Sequence, residues 1–367
     1  MKYLNALNII QGVGSQKIKI LLDAFGSAEN IWRASLTDLT KTRISENLAE
    51  KIVTEREKIN PEKEWEKMEK EKIKMITVDD ENYPKLLKEI PNPPYILYIK
   101  SAESGSALGG TFNLNESPMI SIVGSRKFTQ YGKQAAEKLA HELSKAGLTI
   151  VSGMAIGIDS FAHRAALEAG GKTVAVLGSS LEDSLIGPRS NFDLSRNILE
   201  NGALVSDYPI GISSTPGNFP ARNRLMAGMT LGTLVVEAAP DSGSLITASL
   251  ALEFNREVFA VPGSIYSPQS EGTNKLIKAG AKIVTGIRDI LEELNIEKRA
   301  EIEKVKKIIP ANPEEEKIIN ILSPDPLHID TIAKMAKLEP SAVSSTLAIM
   351  EMKGMIKNIG GQNYIIL

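Results

Sequence analysis

The sequence has no cysteine at all. That single absence removes disulfides, thiolate zinc sites, iron–sulfur clusters and thiol nucleophiles. Histidine is nearly as scarce: His141, His163 and His328 are scattered and form no H-x-x-x-H pair, so no histidine-based metal site is expected. Long apolar runs are missing too. No stretch reaches the roughly 18 apolar residues of a membrane span, and the opening residues MKYLNALNIIQGVGSQK carry no apolar segment behind a basic head. A cytoplasmic protein with no membrane partner is the expectation. Neither sign of charge is in large excess. A net charge of −2 over 367 residues argues against coating duplex DNA by bulk electrostatics and confines any nucleic-acid contact to a local patch. Parts for catalysis are lacking as well, since there is no Walker lysine and no convincing Ser-His-Asp set. No enzyme activity, cofactor or metal is expected.

What is present is an ordinary globular composition, 42% hydrophobic and 24% charged, long enough for two or three domains. Residues 1–60 read as short helices around the turn Gly12-Val13-Gly14. Such a G-x-G turn suits a small all-α module of helix-hairpin-helix or SAM-like type, whose free amides can take a phosphate, or simply a tight helix–helix turn. Residues 61–118 read as a charged connecting helix started by Pro61, then a proline-rich extended segment and a Gly/Ser/Asn-rich loop from Ser101 to Pro118.

From 119 to 296 the pattern changes. Short Val/Ile/Leu runs, such as Ile120–Val123, Leu148–Val151, Thr173–Leu177, Ala203–Ser206, Thr233–Val236, Val258–Val261 and Ala281–Val284, alternate with helical segments. Continuous apolar strands with intervening helices predict an α/β fold, a doubly wound Rossmann-like parallel sheet whose ligands bind outside the strands' carboxyl ends. A Lys/Glu-rich linker over 297–313 leads to 314–367, where three helices and a hairpin predict a winged helix.

The strand ends carry the chemistry. Gly124-Ser125-Arg126 follows the first strand, an amide-and-hydroxyl turn with a fixed charge suited to phosphate. Ser152-Gly153 and Gly157 follow the second, and Asp159 can cap the helix bearing His163, which is read as a packing residue or a catalyst. Arg189 and Asn191 follow the third. After the fourth come Phe219, Arg222, Asn223 and Arg224, a stacking face with guanidinium and amide groups. Ser242-Gly243-Ser244 opens a further helix after the fifth. Residues 119–295 hold sixteen Lys/Arg against seventeen Asp/Glu, yet Arg126, Arg189, Arg222 and Arg224 all fall in strand-end loops, so a basic rim is expected.

In order and spacing, Ile122-Val123-Gly124-Ser125-Arg126, Ser152-Gly153 through Gly157-Ile158-Asp159, Asn218-Phe219-Pro220-Ala221-Arg222-Asn223-Arg224, Ser242-Gly243-Ser244-Leu245-Ile246-Thr247-Ala248 and Val258-Phe259-Ala260-Val261-Pro262-Gly263 resemble the signature of the DNA-processing protein A (DprA/Smf) family. The resemblance implies single-stranded DNA binding, protection of incoming DNA in natural transformation and loading of the RecA recombinase, with no nuclease or ATPase work. It implies that Arg126 holds phosphate, that Phe219 meets a base, and that Arg222, Asn223 and Arg224 line the same pocket. It also implies a homodimer formed through the end of the sheet domain, with Asn274, Ile277, Lys278 and Ile283 as interface residues. Two departures stand out: Gly187-Pro188 replaces the family's usual Tyr-Pro, and the loop Ser101–Pro118 is longer than usual.

Two other readings are weighed. A nucleotide phosphoribohydrolase of the lysine-decarboxylase-like group would need a P-G-G-x-G-T motif, and Pro216-Gly217-Asn218-Phe219 stands in its place. A winged-helix transcriptional regulator would need cations on its reading helix, but residues 314–367 hold five lysines, no arginine and seven acids.

Overall fold

The structure is a computed structural model that describes residues 1–102, 112–296, 312–322, 326–352 and 355–366. Residues 103–111 of the long loop and 297–311 of the expected linker lie outside the described residues. Two compact units are formed, Met1–Ile290 and Leu291–Leu367.

The first unit starts with α1 (Lys2–Ile9), α2 (Ser15–Phe25), α3 (Ala28–Arg33), α4 (Leu36–Thr40) and α5 (Glu46–Arg56). Side chains of Ser27, Ser35 and Ser45 cap three of these helices, and Gly26, at φ +73, ends α2 in the left-handed conformation open to glycine. The next segment holds α6 (Pro61–Lys70), β1 (Ile73–Thr77), α7 (Lys85–Lys88) and β2 (Ile96–Ser101). The sequence reading made this stretch a helix and an extended connection. In the structure it extends the sheet, because β2 pairs antiparallel with β1 through Ile96 to Lys100 on one side and with β6 through Tyr98 to Ser101 on the other.

The predicted α/β region follows as β3 (Met119–Val123), α8 (Gln130–Lys145), β4 (Thr149–Ser152), α9 (Ile158–Glu168), β5 (Thr173–Val176), α10 (Phe192–Asn201), β6 (Gly202–Ser206), α11 (Asn218–Met229), β7 (Gly232–Val235), α12 (Gly243–Glu253), β8 (Glu257–Ala260), α13 (Pro268–Lys278) and β9 (Lys282–Ile283). These strands pair in parallel, and the full sheet runs β1-β2-β6-β5-β4-β3-β7-β8-β9. β3, β4, β5, β6 and β7 are buried at every position, as doubly covered strands must be. Alternation then feeds two cores. Ala175, Leu177 and Leu204 join the N-terminal helices' Leu7, Ile18, Leu21, Ile31 and Ile52 on one face, while Val174, Val176, Ala203 and Val205 pack with Leu225 and Met226 of α11 on the other. Successive strands from β3 add through β4 to β6, and later ones add on the other side through β7 to β9. The direction of winding therefore reverses between β3 and β7, and that reversal opens a crevice at the carboxyl ends.

The second unit has helices Pro313–Ile319, Ile329–Ala336 and Pro340–Met352 and a three-stranded sheet of Leu327–His328, Asn363–Ile366 and Ile356–Gly360. Ile318, Ile332, Val343, Leu347, Met350 and Ile356 make its core. This is a winged helix. No helix among the described residues is long and apolar enough to cross a membrane.

Candidate functional site

A cleft of about 460 Å³ lies at the reversal point. Its walls come from Gly124, Ser125, Arg126 and Lys127 after β3, from Ala155 and Asp159 after β4, from the start of α11, from Asp241 to Thr247 around the start of α12, and from Gln269 of α13. Strand ends thus supply rigid mounts, and the loops they carry supply the groups.

Arg126 is exposed and sits with its guanidinium carbon 5.2 Å from the centre of the Phe219 ring. That cation–π contact holds the charge over the cleft without using its donors, and Arg126 makes no hydrogen bond or ion pair among the described residues. Ser125 anchors the turn: its Oγ donates to Gln269 Oε1 at 2.8 Å and accepts from Lys127 N at 3.0 Å.

Arg222 behaves differently. It is buried, and its Nη1 donates to the carbonyl oxygens of Gly153 (2.7 Å) and Val176, the free ends of β4 and β5. Burial pushes its pKa down to about 10, against the attraction of Asp159, so it stays charged at neutral pH. Asp159 accepts from Gly153 N at 3.2 Å and Ala155 N at 3.3 Å; burial pushes its carboxyl up while Arg222 pulls it down. The pair forms a neutralised floor beneath the cleft. Gly153 leaves room for this tie, since a Cβ there would stand 2.5 Å from the Arg222 guanidinium and push it off its carbonyls. Gly157 has φ +87, and a Cβ on it would lie 2.5 Å from the Ser125 carbonyl oxygen.

The α8 and α12 starts differ in what fills them. At α8, Thr129 caps the Gly132 amide and the buried Glu237 carboxylate accepts from Thr129 N at 2.9 Å, so that end already holds its anion. The α12 start is open. Ser242 caps Ser244, Asn223 Nδ2 donates to the Gly243 carbonyl at 3.3 Å, and Thr247, one turn in, is 1% exposed with its Oγ1 lacking any hydrogen-bond partner. A buried hydroxyl without a partner carries a desolvation cost that a bound acceptor removes. The positive end of the α12 dipole, this hydroxyl and Arg126 therefore line one cleft with chemistry suited to an anion.

The expectation that four strand-end arginines share one rim is not met. Arg189 donates to the Asp183 carbonyl at 3.0 Å and stacks on Phe192, while Arg224 pairs with Asp207 at 2.6 Å and donates to the Asn92 carbonyl; neither lines the cleft. Asn191 is also turned inward, donating to the Met154 and Ala155 carbonyls, and Ser152 donates to the Ile122 carbonyl. The cleft does collect Gly124, Ser125, Arg126, Phe219, Arg222, Asn223, Ser242, Gly243 and Ser244. Sequence reading missed Lys127, Asp241, Thr247 and Gln269 as wall residues. Thr247 was visible within the Ser242–Ala248 motif, but nothing in the pattern marked Gln269, which reaches in from α13. His163 is wholly buried, its Nδ1 lies 2.6 Å from Thr173 Oγ1, and burial pushes its pKa down to about 3. It is a packing residue.

Residues 74–295 match the family of DNA recombination-mediator protein A, and 303–362 match the DprA winged helix domain. The chain belongs to the DNA recombination-mediator protein A family. Protein Smf of Synechocystis is 33% identical over 395 residues, covering 99% of this chain and 98% of that protein. DNA processing protein DprA of Bacillus subtilis is 40% identical over 222 residues, 60% of this chain and 71% of the relative. Among solved structures, DNA processing protein A from Streptococcus pneumoniae superposes with a TM-score of 0.66 at 32% identity, over 80% of this chain and 98% of that one. The Helicobacter pylori protein, whose structure was determined for its single-stranded DNA binding mode, gives 0.52 at 31% identity over 60% of this chain and 95% of that one. The family resemblance read from the strand-end motifs is thereby established, and with it the doubly wound sheet and the winged helix.

Proposed function

We propose that this chain is a cytoplasmic DNA-processing protein that binds single-stranded DNA in the cleft at the sheet's reversal point and leaves it chemically unaltered. The observation that carries the reading is the open α12 start with the unpartnered Thr247 hydroxyl, in the same cleft as the Arg126–Phe219 pair. Phosphate goes to the amides, the hydroxyl and the guanidinium, and a base goes to the ring and to Pro216, Pro220 and Ile246, which supply an apolar wall. A cleft of this size takes a nucleotide-sized piece of flexible strand, whereas a duplex cannot splay a base into it. The kinship with DNA processing protein A supports the same reading.

Within it, the protein protects incoming DNA during natural transformation and loads RecA on the strand. It acts as a homodimer through the edge strand β9 and α13, where Ile283 is 46% exposed, Ile277 half-buried and Lys278 exposed. Asn274 holds the Gly263 loop by two hydrogen bonds, an inward role beneath that edge. Mobility shift with labelled oligo(dT) against a matched duplex tests the reading: preference for the strand supports it, and equal or stronger duplex binding refutes it. Sedimentation velocity of Ile283→Glu tests the dimer, and a single-strand-dependent RecA ATPase assay tests loading.

A further inference from the structure

The cleft carries one group that phosphate binding does not need and that by itself opposes it. Asp241, just before the α12 start, lines the cleft, is exposed, and has no hydrogen bond or ion pair among the described residues. The other carboxylates nearby are accounted for: Glu237 holds Thr129 at the α8 start, and Asp159 takes two amides beside Arg222. Ser242 already caps α12, so Asp241 is not needed as its cap. An unpaired carboxylate in a cleft for a polyanion weakens binding by Coulomb repulsion unless the ligand brings donors to it.

A nucleic-acid strand has such donors only on its base edges. Guanine sets its ring N1–H beside its N2 amino group, a pair matched to the two oxygens of a carboxylate. Thymine flanks its single N3–H with two carbonyl oxygens, which face a carboxylate unfavourably. Gln269 adds the complementary group. Its Oε1 is occupied by the Ser125 hydroxyl, which turns its amide nitrogen, a donor, toward other partners, and it lines the same cleft. A donor from Gln269 for guanine O6 and an acceptor from Asp241 for N1–H and N2–H reproduce the complement of one base edge.

We propose that Asp241, with the Gln269 amide, makes this cleft base-selective, favouring guanine and disfavouring thymine. The inference rests on the single-strand reading given above. Phosphate contacts fix the strand, Phe219 takes the face of a base, and Asp241 decides which base settles there.

The test is fluorescence anisotropy at one salt concentration with two labelled strands, oligo(dT) and oligo(dT) carrying isolated, well-separated guanines. The wild-type protein binds the guanine-bearing strand about tenfold more tightly, the discrimination of one good bidentate contact. In Asp241→Ala the ratio falls close to one, and binding of oligo(dT) tightens because a repulsive charge is gone. Equal wild-type affinities for the two strands overturn the proposal. So does a tightening of both strands by the same factor in Asp241→Ala, which would make the carboxylate a plain electrostatic brake. Failure of the wild-type protein to bind either strand is a different result and sinks the single-strand reading itself.

Discussion

An arginine that spends one guanidinium nitrogen on two main-chain carbonyls is first of all a structural tie. Arg222 is such a residue: it ties the ends of β4 and β5 together and neutralises Asp159. Its removal leaves two buried carbonyls without their donor and takes a compensating positive charge away from the buried Asp159, so Arg222→Ala is expected to lose about 3–5 kcal/mol of stability in urea unfolding. Phe219 sits at the cleft and only half-buried, so Phe219→Ala is expected to keep its unfolding midpoint and to lose about 1–3 kcal/mol of single-strand affinity by anisotropy. Residue types alone could not separate these roles. Both arginines of Arg222-Asn223-Arg224 follow the same turn, and only the path of α11 decides that one enters the floor and the other faces Asp207.

At the scale of elements, the α12 start and the α9–β5 contact give opposite lessons. Thr247 lies in the first two turns of α12 with nothing to bond, so Thr247→Val, of equal shape, should match or exceed the wild-type stability. The same change should weaken strand binding by about 1.5–3 kcal/mol, the range for hydrogen bonds to charged groups. Weaker folding with unchanged binding would place the hydroxyl in the fold and out of the site. His163 on α9 is held neutral against Thr173 of β5, its pKa pushed to about 3 from an unfolded value near 6.5. Below about pH 6.5 the unfolded chain takes a proton that the folded chain refuses. Stability is therefore full above 6.5 and falls by up to about 1.4 kcal/mol per pH unit down toward 3. Asp159, raised by burial, works in the opposite sense as pH rises above its unfolded value, so the comparison is between wild type and His163→Gln. The acid slope of stability should be shallower in the variant. Strand and helix identities from 119 onward were legible because doubly buried strands are written as plain apolar runs. β1 and β2 were not, since prolines and charged neighbours surround them and only long-range pairing with β6 makes them sheet.

For the molecule as a whole, the proposed function depends on a local basic site within a chain of net charge −2. The structure narrows the expected rim to Arg126, Lys127 and the α12 start, over a floor whose Arg222 and Asp159 cancel. Family membership and the winged helix were legible from ordered motifs, whereas the convergence of walls from β3, β7, α11 and α13 on one cleft needed the folded chain. The most direct measurement follows from the parting of two arginines that the sequence placed together. Oligo(dT) binding is followed by anisotropy across a salt series for the wild type, Arg126→Ala and Arg224→Ala. Arg126→Ala should weaken binding by about 1–3 kcal/mol and flatten the salt dependence, while Arg224→Ala should leave both unchanged. Equal losses in the two variants, or none in Arg126→Ala, would contradict the placement of the strand in this cleft.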